Sequence, residues 1–222
     1  MVARRINGLR EEVLQDCKSV GSEIVQHRTV RRFVVIAFLL LGCRSTRSFV
    51  CDATPHAPRN FGAVSPQIYR GGQPMTCGEL AYLKSAGVKS ILKLNDRNSP
   101  VDEAEKAEAV RLGMRVESFA FDPRTIGTSA SCPDVQRAIA FIESPGNQPV
   151  FIHCTAGKDR TGYIVGLYER ESGRSIDDVM NELHRYGHRA ARSAAFSQID
   201  RDLRRERPEC ANASPYGASQ SP

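Results

Sequence analysis

Between residues 60 and 206, short apolar runs trade places with longer stretches whose apolar positions recur every three or four residues. These are the two rhythms expected of strands and helices. Residues 61–64 and 67–70 read as short strands around the turn Ser65-Pro66. Thr76-Cys77-Gly78-Glu79 has the Thr-x-x-Glu form of a capping box and opens a predicted helix to about Ser85. Residues 88–94 form a predicted strand closed by a loop over 95–99. A helix follows from Ser99 to about Leu112, with Pro100 in its first turn, where a missing N–H costs nothing. Residues 114–120 and 149–152 complete the predicted strands; 131–143, 161–171, 175–186 and 193–204 complete the predicted helices. Strands alternating with helices imply an α/β fold with a central, mostly parallel sheet flanked by helices. In such sheets ligands bind beyond the carboxyl ends of the strands.

The flanks differ from this domain. Residues 33–43 are almost wholly apolar, follow Arg31-Arg32, and are too short for the roughly twenty residues a membrane span needs. Length and basic flank fit a secretory signal, and Leu40-Leu41-Gly42-Cys43 resembles a bacterial lipoprotein box whose cysteine carries the lipid anchor. This predicts an exported, periplasmic or membrane-anchored bacterial protein; a buried core segment in a cytoplasmic protein is the other reading. Thirty residues upstream of the basic pair are long for a signal, which suggests a true start near Val30. The organisation expected is an N-terminal extension and signal-like segment over 1–43, a linker over 44–59, the domain over 60–206 and a disordered tail over 207–222.

The net charge of +6 does not change the picture. Seven basic residues face four acidic ones in 1–42, and twenty-four face twenty-one in 43–222. The domain is nearly balanced, so no nucleic-acid surface is implied. None of the seven cysteines forms a CxxC pair, which speaks against a zinc or thioredoxin-like site, and no metal or other cofactor is expected. Cys51, Cys77, Cys132 and Cys210 can pair among themselves, or one of them can cap Cys154.

The candidate chemistry lies in His153-Cys154-Thr155-Ala156-Gly157-Lys158-Asp159-Arg160-Thr161-Gly162. An apolar strand enters it and a helix leaves it. Backbone N–H groups in such a loop form a nest for phosphate, aided by the positive end of the following helix. Gly157 permits geometry that a Cβ resists. Arg160 supplies a planar fork for two phosphate oxygens. Cys154, among the same donors, is expected as a thiolate that attacks phosphorus and forms a phosphocysteine. Thr161 can donate to the sulfur, while His153 is expected to order the loop. Thr155, Ala156, Gly157, Lys158, Asp159 and Thr161 are the candidate phosphate-binding residues.

This stretch resembles the HCxxGxxRTG signature of the protein tyrosine and dual-specificity phosphatase superfamily. Residues 60–74, Asn-Phe-Gly-Ala-Val-Ser-Pro-Gln-Ile-Tyr-Arg-Gly-Gly-Gln-Pro, resemble the opening of compact atypical dual-specificity phosphatases. The resemblance covers about residues 60–190 and implies the cysteine-based phosphatase fold. It also implies a general acid on a loop about thirty residues before the cysteine, where Asp122 is the first choice. Asp159 in the loop itself and Asp134 near a helix start are its rivals. Lys158 and Arg124 are expected at the rim, and Asp96-Arg97 lines the pocket or forms a turn. The activity implied is hydrolysis of protein phosphotyrosine, with phosphoinositides or inositol (pyro)phosphates as the alternative substrates. A sulfurtransferase loop lacks the Cys-x5-Arg-Thr-Gly pattern, and a non-catalytic phosphate-binding module has no use for an intact Cys154 and Arg160.

Overall fold

Among the described residues, five strands form one sheet: β1 (Gly62–Ser65), β2 (Ile68–Gly72), β3 (Ser90–Lys93), β4 (Arg115–Ser118) and β5 (Val150–Cys154). Their spatial order is β1-β2-β5-β3-β4. Strands β2, β5, β3 and β4 run parallel, and β1 pairs antiparallel at the edge. The structure is a computed structural model that describes residues 48–52, 54–95 and 97–210, all within the compact unit Arg47–Pro222. The signal-like segment, Val30, Cys43, Asp96 and residues 211–222 lie outside the described residues.

The central strands are buried on both faces, which is why they read as continuous apolar runs. Strand parity still sorts their side chains. Ile91 and Phe151 enter one cluster with Leu80, Leu83 and Ala109, brought by the helices α1 (Cys77–Ser85) and α2 (Pro100–Arg111). Leu92, Val150 and Ile152 enter the other, with Ile139, Ile164, Leu183 and Ile199. These come from α3 (Cys132–Glu143), α4 (Asp159–Glu171), α5 (Ile176–Arg185) and α6 (Ala194–Leu203). Burying each such side chain is worth about 1.5–3 kcal/mol. The register sets Gly72 beside Cys154 and Lys93 beside His153, so three parallel strands end together at the motif.

Capping agrees with the sequence at α1, where Thr76 and Glu79 form the reciprocal box, and a second box joins Ser99 and Asp102 at α2. Helix α4 begins at Asp159, two residues earlier than expected, because the end of the phosphate loop already has helical geometry. Its N-cap, Lys158, makes no side-chain cap. The first amides of α4 are therefore left for another acceptor.

Where it is described, the segment expected to be a linker is sewn onto the domain. The Val50 N–H donates to the Met75 carbonyl and the Cys77 N–H to the Val50 carbonyl, both at 3.0 Å. Cys51 is bonded to Cys77, and the Gly78 N–H donates to Asp52 Oδ1 at 2.7 Å. The start of the expected tail is likewise tied down, because Cys210 is bonded to Cys132. Cys154 is the free cysteine among the described residues.

Peptide mapping of protein purified without reductant is expected to recover Cys51–Cys77 and Cys132–Cys210 and no bridge to Cys154. The second bridge spans 78 residues, so Cys132→Ser is expected to lower the urea unfolding free energy by up to about 4 kcal/mol.

Candidate active site

Cys154 closes β5 at 3% exposure, and the loop that follows turns back into α4. Three successive carbonyls of that loop are caught from one side. Arg59 donates to the Thr155 carbonyl. Asn60 Nδ2 donates to that of Ala156 at 3.0 Å, and Arg70 Nη2 to that of Gly157 at 3.3 Å. In a trans peptide the N–H points opposite to its carbonyl, so the amides of Ala156, Gly157 and Lys158 turn the other way, into the loop. Gly157 is required twice. Its φ is +71°, and a Cβ there would lie 2.3 Å from the Gly71 carbonyl carbon and 2.6 Å from the Gly72 nitrogen.

Arg70 is 1% exposed and lies 3.8 Å over the Tyr186 ring, with Glu182 Oε1 at 4.0 Å. A buried cation needs such company. Arg160 is held from below: Nη1 donates to the Leu94 carbonyl at 3.0 Å and Nη2 to Thr155 Oγ1 at 3.2 Å. Burial alone would push the Cys154 thiol up. The Arg160 charge, the Thr161 hydroxyl and the amides of Thr161 and Ala156 outweigh burial and hold it below the ordinary thiol range.

Beneath the loop, His153 is fully buried with Nε2 2.9 Å from Glu105 Oε1, an electrostatic contact rather than an aligned hydrogen bond. Glu105 also meets Lys93, and Gln73 Nε2 donates to it at 2.8 Å. Asp102, the α2 capping residue, accepts from Lys93 at 3.1 Å and from Gln73 at 2.9 Å. Burial works against ionisation of both carboxyls; their partners overcome it and keep them ionised below the usual range. The strand end that carries Cys154 thus rests on a buried network in which cations and carboxylates answer one another.

The cavity over the sulfur has a volume of about 180 Å³. Arg97, Asp159 and Arg160 supply its charge, and Pro123, Ile126, Phe196 and Ile199 form an apolar wall. A roomier cavity of about 480 Å³ lies beside Glu169 and Glu182, with no cysteine in its lining.

The candidate acids separate clearly. Asp159 lines the cavity with Cys154. Asp122, the first choice by sequence position, does not reach it: both its oxygens are held by Arg124, at 2.8–3.1 Å. That bond keeps its carboxyl below the usual range, the opposite of what a proton donor needs. Asp134 pairs with Arg137 at 3.2 Å on the first turn of α3, also outside the cavity. Arg124 sits at the surface, 86% exposed, whereas Arg97 does line the cavity. Lys158 leans against Gly187 and is not among the residues lining the cavity.

Sequence reasoning missed Arg59, Asn60 and Arg70 as the donors that shape the loop. Two signals were available: an arginine inside a buried strand, and an asparagine suited to the left-handed geometry that Asn60 adopts at φ 52°. It also missed His188, whose ring nitrogens lie 2.6 Å from Asp159 Oδ1 and 2.9 Å from Asp200 Oδ1.

Known proteins share this arrangement of chain. An inositol diphosphatase of rice, DSP2, is 29% identical over 137 residues, which cover 61% of this chain and 66% of that protein, just under two thirds of its length. A protein of Mycosarcoma maydis named for a tyrosine-protein phosphatase, OCA1, is 27% identical over 136 residues, covering 58% and 80%. The core catalytic domain of the PP-IP phosphatase SIW14 from S. cerevisiae, crystallised with citrate, superposes with a TM-score of 0.55 at 24% identity, over 66% of this chain and 87% of that one. The sequence profile described as the tyrosine phosphatase family matches residues 56–212, the whole sheet and every loop donor from Arg59 to Arg160 included, and the chain belongs to that family.

Proposed function

We propose that this chain hydrolyses phosphate monoesters through a phosphocysteine, with phosphotyrosine in proteins as the substrate. The observation that carries the reading is the ring of inward-turned amides around a thiol held below its ordinary range. The phosphoryl oxygens bind those amides and the Arg160 fork. Cys154 Sγ attacks phosphorus as the bond to the leaving oxygen breaks, and a carboxyl proton from Asp159 goes to that oxygen. Water then attacks the phosphocysteine, giving its proton to the Asp159 carboxylate and releasing phosphate and the thiolate. Asp122 is the alternative acid, and it needs its pair with Arg124 to open. The apolar wall of Phe196, Pro123 and Ile126 suits an aryl group beyond the phosphate. The cavity is smaller than the ~300–1,000 Å³ of sites for drug-sized ligands, which favours one phosphoryl group and an abutting ring.

A second reading, hydrolysis of inositol (pyro)phosphates, is supported by the rice relative and by Arg97 as a second cation at the cavity. Export is part of the same proposal. Two disulfides suit an oxidising compartment, and an anchor through Cys43 would hold the domain at a membrane.

On a panel of phosphotyrosine and phosphoserine peptides, phosphoinositides and inositol pyrophosphates, phosphotyrosine is expected to turn over with the highest kcat/KM. Cys154→Ser is expected to abolish all turnover. An inositol pyrophosphate turning over faster than the peptides would replace the first reading by the second. Residual activity in Cys154→Ser would remove both.

Asp159→Asn is expected to lower kcat/KM about 100- to 10,000-fold on phenyl phosphate and far less on 2,4-dinitrophenyl phosphate. Asp122→Asn is expected to leave both nearly unchanged. For pH, the thiolate is the active form, so kcat/KM rises as Cys154 deprotonates, and this limb lies below the roughly 8.5 of a free thiol. Thr161→Val removes a donor to the sulfur, which disfavours the thiolate. The limb is then expected to move to higher pH, as read by the rate of iodoacetamide labelling.

A further inference from the structure

One buried group near the cavity has no part in the steps above. His188 is fully buried at the start of the segment between α5 and α6, and both ring nitrogens face carboxylates. Nδ1 lies 2.6 Å from Asp159 Oδ1 and Nε2 lies 2.9 Å from Asp200 Oδ1 on α6. The three groups form a line with the buried ring at its centre: Asp159 and Asp200 are 22% and 18% exposed, with the ring between them at 0%. They do not converge on a point where a metal ion would sit.

We infer that His188 and Asp200 are positioning residues for the acid, fixing the Asp159 carboxyl toward the leaving group and sharing its proton. The inference rests on the phosphatase reading and on Asp159 as its acid.

The argument is one of proton count. A neutral imidazole has one N–H, and here it meets two carboxyl groups. With no further proton, one ring nitrogen presents a lone pair to a carboxylate, and the contact is repulsive. One added proton satisfies both contacts. It resides either on the ring, which then donates to two carboxylates, or on Asp159, whose O–H then donates to Nδ1 while Nε2–H donates to Asp200. The line thus holds one proton that can sit on Asp159 or on His188. When Asp159 gives its proton to the leaving oxygen, the line is one proton short. It regains that proton from the attacking water in the second step, so protons balance over the cycle.

The surroundings of the ring support this account. The His184 ring from α5 stacks on it at 6.4 Å, and the Phe196 ring from α6 meets it edge-on at 5.7 Å. Arg189 Nη1 donates to the carbonyls of His188 at 2.7 Å and His184 at 2.9 Å, fixing the backbone rather than the ring. The Arg160 charge acts on Asp159 from the cavity side, and the Lys158 ammonium flanks Gly187. The carboxylates of Asp159 and Asp200 are the groups in hydrogen-bond contact with the ring nitrogens.

The test compares wild type, His188→Gln, Asp200→Asn, Asp159→Asn and Asp159→Asn/His188→Gln on phenyl phosphate and 2,4-dinitrophenyl phosphate. Wild-type turnover and its loss in Cys154→Ser check the phosphatase reading separately. His188→Gln and Asp200→Asn are expected to lower kcat/KM on phenyl phosphate about 10- to 100-fold, with less than about a threefold change in kcat/KM on the dinitrophenyl ester, because kcat/KM reports the step in which the leaving oxygen departs. In the Asp159→Asn background the His188 substitution is expected to add nothing, because the group it acts through is gone. Iodoacetamide labelling of Cys154 at its wild-type rate reports an intact loop, and Asp200→Asn, at the other end of the line, serves if His188→Gln does not fold. Equal losses on both esters, a further loss in the Asp159→Asn background, or a leaving-group signature in Asp122→Asn alone would each overturn the inference.

Discussion

The site depends on three hydrogen bonds that face away from it. Arg59, Asn60 and Arg70 hold the carbonyls of Thr155, Ala156 and Gly157, and the direction of the loop amides follows from that. Without those donors the loop could relax to present a carbonyl to the anion, and oxygen facing oxygen would repel it. The donors come from the segment before β1 and from β2, while the loop hangs from β5. The β2–β5 ladder, with Gly72 beside Cys154, sets the distance between them. Gly157 lets the two backbones close to that distance. The thiolate is a downstream result: with amides, hydroxyl and guanidinium converged on Sγ, the charged form is favoured despite burial.

The same arrangement places unlike charges at different depths. Below the strand ends, Lys93 and Gln73 bridge the Asp102 and Glu105 carboxylates, and His153 makes an electrostatic contact with Glu105. Such a network fixes geometry more than it adds stability, because desolvation offsets much of its attraction. Above, Arg160 is held by the carbonyls of Leu94 and Phe121 and by the Thr155 hydroxyl, neutral acceptors that leave its charge for a ligand. A carboxylate in either place would have neutralised the cation the phosphate needs.

The framework was legible from the residues because its signals are local. Thr76 and Glu79 cap α1 as their spacing says, and the apolar run before Cys154 is the central strand. The loop was legible because glycine, arginine and threonine hold fixed offsets from the cysteine. What escaped was non-local or competitive. Asn60 reaches across 96 residues to Ala156, and His188 reaches Asp159 across 29; neither spacing is a motif. Arg70 sits in a strand where an arginine usually marks the solvent side, yet its charge is buried over Tyr186. Asp122 stands at the spacing the resemblance implies, yet Arg124, two residues on, competes for it. Even the cysteines gave a number and not a pairing, since proximity of Cys51 to Cys77 depends on where residues 50–52 lie along α1.

Among the described residues Cys154 is the free thiol, and this has a consequence for how the chain matures. Its acidity comes from residues gathered between positions 59 and 161, so it exists only after the sheet has closed. In the unfolded chain Cys154 is an ordinary thiol, about 3% ionised at pH 7 given a pKa near 8.5, and no more nucleophilic than the cysteines around it. Thiol–disulfide exchange proceeds through the thiolate. While Cys51, Cys77, Cys132 and Cys210 are still finding one another, the future nucleophile is chemically unremarkable among them. Once it becomes reactive it is buried at the bottom of a narrow cavity. Reactivity that comes only with the closed sheet protects the fold from its own active site.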